Sequence, residues 1–173
     1  MTESFTRHGE RVRMRLEDVE VGLLRSMQQA LRETLESGEP TDAVVRRLFP
    51  PTVVGDEEAD EQLRAMLRDD LLTGRLRGLD ALVELLDRGR WRGSTLQVEL
   101  EDDEAQLVLG VLNDLRLAIG ARIDIENLDR EGVDPEDPVT YRLAVMDHFA
   151  WLQECLLRVL DPPSVRVHEE GEP

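Results

Sequence analysis

The sequence predicts a mainly α-helical single domain, a helical bundle of four or five helices with a small two-stranded β-ribbon. Three observations predict it. Several long stretches place Leu, Val and Met at the i, i+3, i+4, i+7 spacing of a helix with one buried face. Two short stretches, over 11–16 and 95–100, instead alternate apolar and polar residues with the period of two of a half-buried strand. No internal repeat or linker divides the 173 residues, a length that suits one core. The expected organisation is a flexible N-terminus over 1–10, one helical domain over 11–160 and a disordered acidic tail over 161–173.

In the first strand Val12, Met14 and Leu16 alternate with arginines; in the second, Leu96, Val98 and Leu100 alternate with Gln97 and Glu99. Paired, the two strands set Arg13 and Arg15 across from Glu99 or Glu101. A first helix is expected over 17–36, with Val19, Leu23, Leu24, Met27, Leu31 and Leu35 on one face and Gly38 then Pro40 as stop signals. Thr41 is the expected N-cap of a short helix over 42–48, which Pro50 and Pro51 end. The acidic run over 56–60 reads as loop or as the first turn of a helix, where negative charge suits the dipole. Residues 61–86 carry Leu63, Met66, Leu67, Leu71, Leu79, Leu82, Val83 and Leu86 at helical spacing, with a break or kink expected near Gly74 and Gly78. After the second strand, Asp102 is placed to cap a helix to about Ile119, and Gly120 ends or bends it. A polar loop over 127–137 leads to Pro138, whose missing N–H costs nothing in the first turn of a last helix reaching about Leu160.

Charge narrows the function classes. The chain has 38 acidic residues against 21 basic ones, all Arg, for a formal net charge of −17. Nucleic acids and anionic membranes are bound through clustered basic residues, so the balance disfavours direct DNA binding and membrane binding while leaving a local basic stripe open. No apolar run approaches the ~20 residues of a membrane span, and no signal peptide follows Met1, so the expected compartment is the cytoplasm. Cys155 is the only cysteine, which excludes an intrachain disulfide and a Cys-only zinc site within this sequence.

Chemistry-bearing motifs are sparse. His148 follows Asp147, and no His-Glu-x-x-His spacing accompanies it, so a structural or surface role is expected. The acidic loop from Asp129 to Asp137 does not follow the calcium-loop pattern. Gly74 and Gly78 are not followed by the Lys-Ser/Thr of a phosphate loop. Cys155, beside Leu156 and Leu157, reads as a buried thiol, with a redox role as the alternative. The densest polar motif is Asn113, Asp114 and Arg116 on a helix that buries Leu112, Leu115 and Ile119. Arg116 is expected to form a two-pronged ion pair with Asp147 or Glu154 and so fix helix register. No cofactor or metal site is implied.

The run from Val111 through Asn113-Asp114-Leu115-Arg116 to Arg122 resembles the signature of the actinobacterial oxidative-stress regulator family AosR, long described as a domain of unknown function. Arg47-Leu48-Phe49-Pro50 before an acidic loop, and Tyr141-Arg142-Leu143 through Leu156, support the resemblance over nearly the whole chain. The resemblance implies a non-enzymatic regulator that acts with an alternative sigma factor, in a redox-dependent way, on cysteine-biosynthesis genes. The family's gene neighbourhood beside the adaptor ClpS implies an alternative, an accessory or adaptor role in Clp-dependent proteolysis. A third reading is an enzyme using Asp114, His148 or Cys155. The expected activity is protein binding, with a homodimer left open. The acidic stretch Asp56, Glu57, Glu58, Asp60 and Glu61 is the first candidate surface for a basic partner such as a sigma factor.

Overall fold

A computed structural model describes residues 3–50 and 57–162. Its elements run β1 (Phe5–His8), β2 (Arg11–Glu17), α1 (Asp18–Ser37), α2 (Ala43–Leu48), α3 (Glu57–Asp87), β3 (Arg90–Arg92), β4 (Thr95–Leu100), α4 (Asp102–Arg122) and α5 (Pro138–Leu160). The chain is mainly α, with five helices among the described residues, and the two expected strands pair as β2 and β4. The ribbon is larger than the sequence predicts: it is a four-stranded antiparallel sheet of order β1-β2-β4-β3.

The two added strands are the arms of tight hairpins. His8 pairs with Arg11 and Arg92 with Thr95, so each loop holds two residues, Gly9-Glu10 and Gly93-Ser94. Gly9 and Gly93 have φ near +65°, the first-position glycine of a type II′ turn. The segment before Arg11, expected to be loose, is therefore ordered as β1, and Arg15 N–H donates to Ser4 O at 2.8 Å. Register sets Val12, Met14 and Leu16 against Leu100, Val98 and Leu96 on the buried face. On the solvent face Arg13 stands opposite Glu99, one of the expected pairings, whereas Arg15 stands opposite Gln97 and faces neither expected carboxylate.

The helices follow their sequence signals with local corrections. A capping box starts α1: Glu17 N–H donates to Glu20 Oε2 at 2.8 Å. Gly38, at φ +58°, ends it. Asp42, not Thr41, caps α2, accepting from Val44 N–H at 2.8 Å. Glu101, not Asp102, caps α4 through a second capping box with Glu104. α3 runs unbroken through Gly74 and Gly78, because neither glycine takes a positive φ. Each costs about 1 kcal/mol against alanine, which the burial of Leu79, Leu82, Leu85 and Leu86 offsets. Gly120 stays helical inside α4, and Ile125 folds back to within van der Waals reach of it. Asp137 caps α5 ahead of Pro138. One continuous hydrophobic core joins the sheet to all five helices.

Candidate protein-docking surfaces

The Asn113-Asp114-Arg116 motif points three ways from α4. Asp114 accepts a hydrogen bond from Arg75 of α3, whose other nitrogen donates to Leu48 O at 3.1 Å. The same guanidinium lies over the Phe49 ring, 5.6 Å from its centroid. This pair ties α3, α4 and the end of α2 together. Arg116 meets neither expected carboxylate: its Nη1 donates to Gln153 Oε1 at 2.6 Å. Gln153 lies on the buried face of α5 with Phe149, Leu152 and Leu156, whereas Asp147 pairs with Arg130 and Glu154 with Arg158 on the outside. Asn113 is exposed, on the rim of a concavity between α2 and α4 that Arg116 also lines.

The residues of the enzyme reading make separate contacts. Asp114 is engaged by Arg75 on the α3 side of α4. His148 turns toward α1, its Nε2 2.8 Å from Glu20 Oε1, and stacks on Trp151 with centroids 5.5 Å apart. The Nε2 contact has ion-pair length without the angle of a hydrogen bond, and it links α5 to the capping carboxylate of α1. Cys155 packs half-buried against the core. Burial raises its thiol pKa, Arg158 works the other way, and the nearby carboxylates of Glu154 and Glu3 add to the rise. Such a thiol is mostly protonated at neutral pH and therefore a poor nucleophile. Among the described residues no group of three or more His, Cys, Asp or Glu side chains is arranged to hold a metal.

Two apolar surfaces face solvent instead. The first is on α3. Of the acidic stretch proposed from sequence, Asp56 lies outside the described residues; Glu57, Glu58, Asp60 and Glu61 form the first turns of α3, with Glu58 exposed. Just beyond them Met66, Leu67 and Leu71 stand in solvent, Met66 at 76% exposure, beside exposed Asp69 and Asp70. The body holds this half of the helix through Arg68, which donates to Gly38 O at 3.0 Å. The second is a groove between α1 and α5, floored by α4. Met27, Leu31, Leu115, Ile119, Tyr141 and Val145 line a cavity of about 500 Å³. Past Tyr141 it continues toward His148 and Val19, a residue expected in the core that is 72% exposed.

Sequence periodicity hides both. Leucines at helical spacing read as core wherever a helix is assumed to pack along its whole length, and only the tertiary structure shows which turns lack a partner. His148 lines the Val19 end of the groove between α1 and α5, whose lining includes neither Asp114 nor Cys155. No described helix is long and apolar enough to cross a membrane.

The chain belongs to the family described as a domain of unknown function, DUF2017, which matches residues 1–160. It is similar to the putative oxidative stress regulator AosR of Mycobacterium leprae, with 28% identity over 130 residues, 70% of this chain and 59% of that protein. It is also similar to the oxidative stress regulator AosR of Mycobacterium tuberculosis strain H37Rv, with 27% identity over 137 residues, 74% of this chain and 62% of the relative. The resemblance to the AosR family read from the motifs therefore holds. The chain spans about three-fifths of the length of the curated relatives it matches. No solved structure matches.

Proposed function

We propose that this chain is a non-enzymatic regulatory protein-binding module of the oxidative-stress response, and that its partner is an alternative sigma factor controlling cysteine-biosynthesis genes. Its relatives, named as oxidative stress regulators, support the regulatory class. The observation that carries protein binding is the half of α3 that leaves Met66, Leu67 and Leu71 in water on an acidic helix. Apolar side chains in solvent at helical spacing are a helix face ready for a groove. Acidic neighbours select a partner whose groove is rimmed by basic residues, as the DNA-binding regions of a sigma factor are, and speed the encounter. Regulation through protein contact also agrees with a chain whose net charge repels DNA.

Affinity purification of the chain from its native host, with the recovered proteins identified, tests this. The expected result is a sigma factor, with or without RNA polymerase, retained by the native chain and lost by Met66→Asp/Leu71→Asp. Those positions are already exposed, so the fold should survive, and circular dichroism checks it. Recovery of Clp subunits instead would replace the sigma-factor reading with the proteolytic-adaptor one. Recovery of neither overturns both.

A further inference from the structure

The solvent face of the sheet is basic on a chain that is acidic overall. On its three-stranded part, register aligns Arg15 of β2 opposite Gln97 of β4, and Gln97 opposite Arg90 of β3. Arg92 shares the face, two residues along the edge strand. Strand spacing puts the Arg15 and Arg90 backbones roughly 10 Å apart, so both guanidinium groups reach the space above Gln97. Among the described residues none of these four side chains has a hydrogen-bond or ion-pair partner, and Arg15 Nε is buried without one.

The nearby carboxylates are occupied elsewhere. Glu99 takes Arg13 at 2.5 Å, Glu101 takes Arg11 at 2.7 Å, and Glu104 takes Arg88 through both oxygens at 2.6 Å. Glu17 accepts from the hydroxyls of Ser94 and Thr95 at 2.9 and 3.0 Å. The three arginines Arg15, Arg90 and Arg92 therefore share this face with the neutral Gln97 and with one carboxylate held by hydroxyls, Glu17 in the row of Arg92, so the patch keeps a net positive charge. Arg90, Arg92 and Gln97 line a cavity of about 550 Å³ together with the ion pairs of Glu99, Glu101 and Glu104, and Arg15 stands beside it across Gln97. Charged residues on a short edge strand also deter edge-to-edge pairing, which accounts for Arg90 and Arg92. Edge protection does not account for Arg15, which sits on an interior strand with its Nε out of water.

We propose that this face is a binding site for a small phosphate-bearing anion, held by Arg15, Arg90 and Arg92 with Gln97 between them. Paired donors on a planar guanidinium suit phosphate oxygens. The size of the cavity suits a ligand of nucleotide dimensions or less. A long polyanion would run off the patch onto an acidic surface, so nucleic acid is not the occupant assigned.

Isothermal titration of the full chain with inorganic pyrophosphate at low ionic strength tests the site. The expected result is saturable binding that weakens with added salt. Arg15→Gln and Arg90→Gln should each raise Kd by roughly tenfold or more, the loss of a charged hydrogen-bond donor. Arg142→Gln, an exposed α5 arginine away from the sheet, should leave Kd unchanged. Arg90 lies exposed on the edge strand, so its variant keeps the fold even if Arg15→Gln does not. Absence of saturable binding, or binding indifferent to Arg90→Gln, overturns the site. A single-stranded oligonucleotide that binds more tightly than pyrophosphate, and loses affinity in the same variants, overturns the small-anion assignment in favour of a nucleic-acid backbone.

Discussion

Arg116→Ala tests how the signature motif works. The native Arg116 Nη1 donates to Gln153 Oε1 at 2.6 Å, and Gln153 is buried with its own amide pointing at Leu109 O, 3.4 Å away. Removing the arginine deletes a charge-assisted hydrogen bond and leaves the Gln153 carbonyl oxygen inside the α4–α5 interface without its donor. Hydrogen bonds to charged groups contribute about 1.5–3 kcal/mol. In a domain of this size each kcal/mol moves Tm by about 2–4 °C, so Tm should fall by roughly 3–12 °C. The assay is chemical and thermal denaturation of Arg116→Ala, Gln153→Ala and the double variant. Residues in direct contact should show a coupling energy of about 0.5–3 kcal/mol in that cycle. Asp147→Asn and Glu154→Gln, whose charges sit outside on Arg130 and Arg158, should stay within about 0.5 kcal/mol of the native chain. A cycle with no Arg116–Gln153 coupling, or one in which Glu154→Gln couples to Arg116→Ala, would refute this account of the motif.

Three further outcomes follow from the geometry. Gly89→Ala should destabilise by about 1–3 kcal/mol through overpacking, because a Cβ there would lie 2.7 Å from Leu96 Cδ1 and 3.0 Å from Val98 Cγ2 in the core; an unchanged denaturation midpoint contradicts it. Acid should weaken the fold through Glu104, whose pKa the two-pronged Arg88 contact lowers from 4.5 against the opposing effect of burial. A carboxylate with a lowered folded pKa contributes stability above its unfolded value and loses it as pH falls through the folded one. The Tm of the native chain should thus drop below about pH 4.5 more steeply than that of Glu104→Gln, and parallel profiles would exclude the contribution. Cys155 should react slowly with iodoacetamide at neutral pH and rapidly once denatured, since burial raises its pKa and keeps the thiol protonated; equal rates would show a thiol open to solvent.

What was legible in the sequence was what periodicity alone determines. The bounds of α5, the caps of glycine and proline, and the pairing of β2 with β4 follow from local pattern, whereas the register between those strands, which sets Arg13 on Glu99 and Arg15 on Gln97, was left open by it. β1 and β3 escaped because four and three residues are too few to show a period. Their signal was the turn: Gly-Glu and Gly-Ser, each followed by an alternating strand, is the mark of a two-residue hairpin. The partner of Arg116 escaped for a different reason. Charge favours Asp147 or Glu154, but helical phase decides. Phe149, Leu152, Gln153 and Leu156 follow the i, i+3, i+4, i+7 stripe that faces the core, and both carboxylates fall off it. The exposure of Met66, Leu67 and Leu71 depends on where neighbouring helices stop, which no local pattern encodes.

Charge, like helix exposure, acts on a local scale. A net charge of −17 describes the chain, whereas a ligand meets a patch. At physiological ionic strength a charge is screened beyond about 8 Å. Leu71 lies sixteen residues before the end of α3 at Asp87, which at 1.5 Å per residue is roughly 24 Å, and β3 begins just past that end. The acidic, apolar half of α3 and the arginine face of the sheet are therefore several screening lengths apart and act as separate surfaces. Acidity thus excludes a long polyanion lying along the whole molecule, but it does not exclude a small anion on the sheet. The two surfaces can also be separated by experiment. Met66→Asp/Leu71→Asp should abolish partner capture and leave pyrophosphate binding intact, and Arg90→Gln should do the reverse. A variant of either kind that weakens both activities would show that the surfaces are coupled through the core that joins α3 to the sheet.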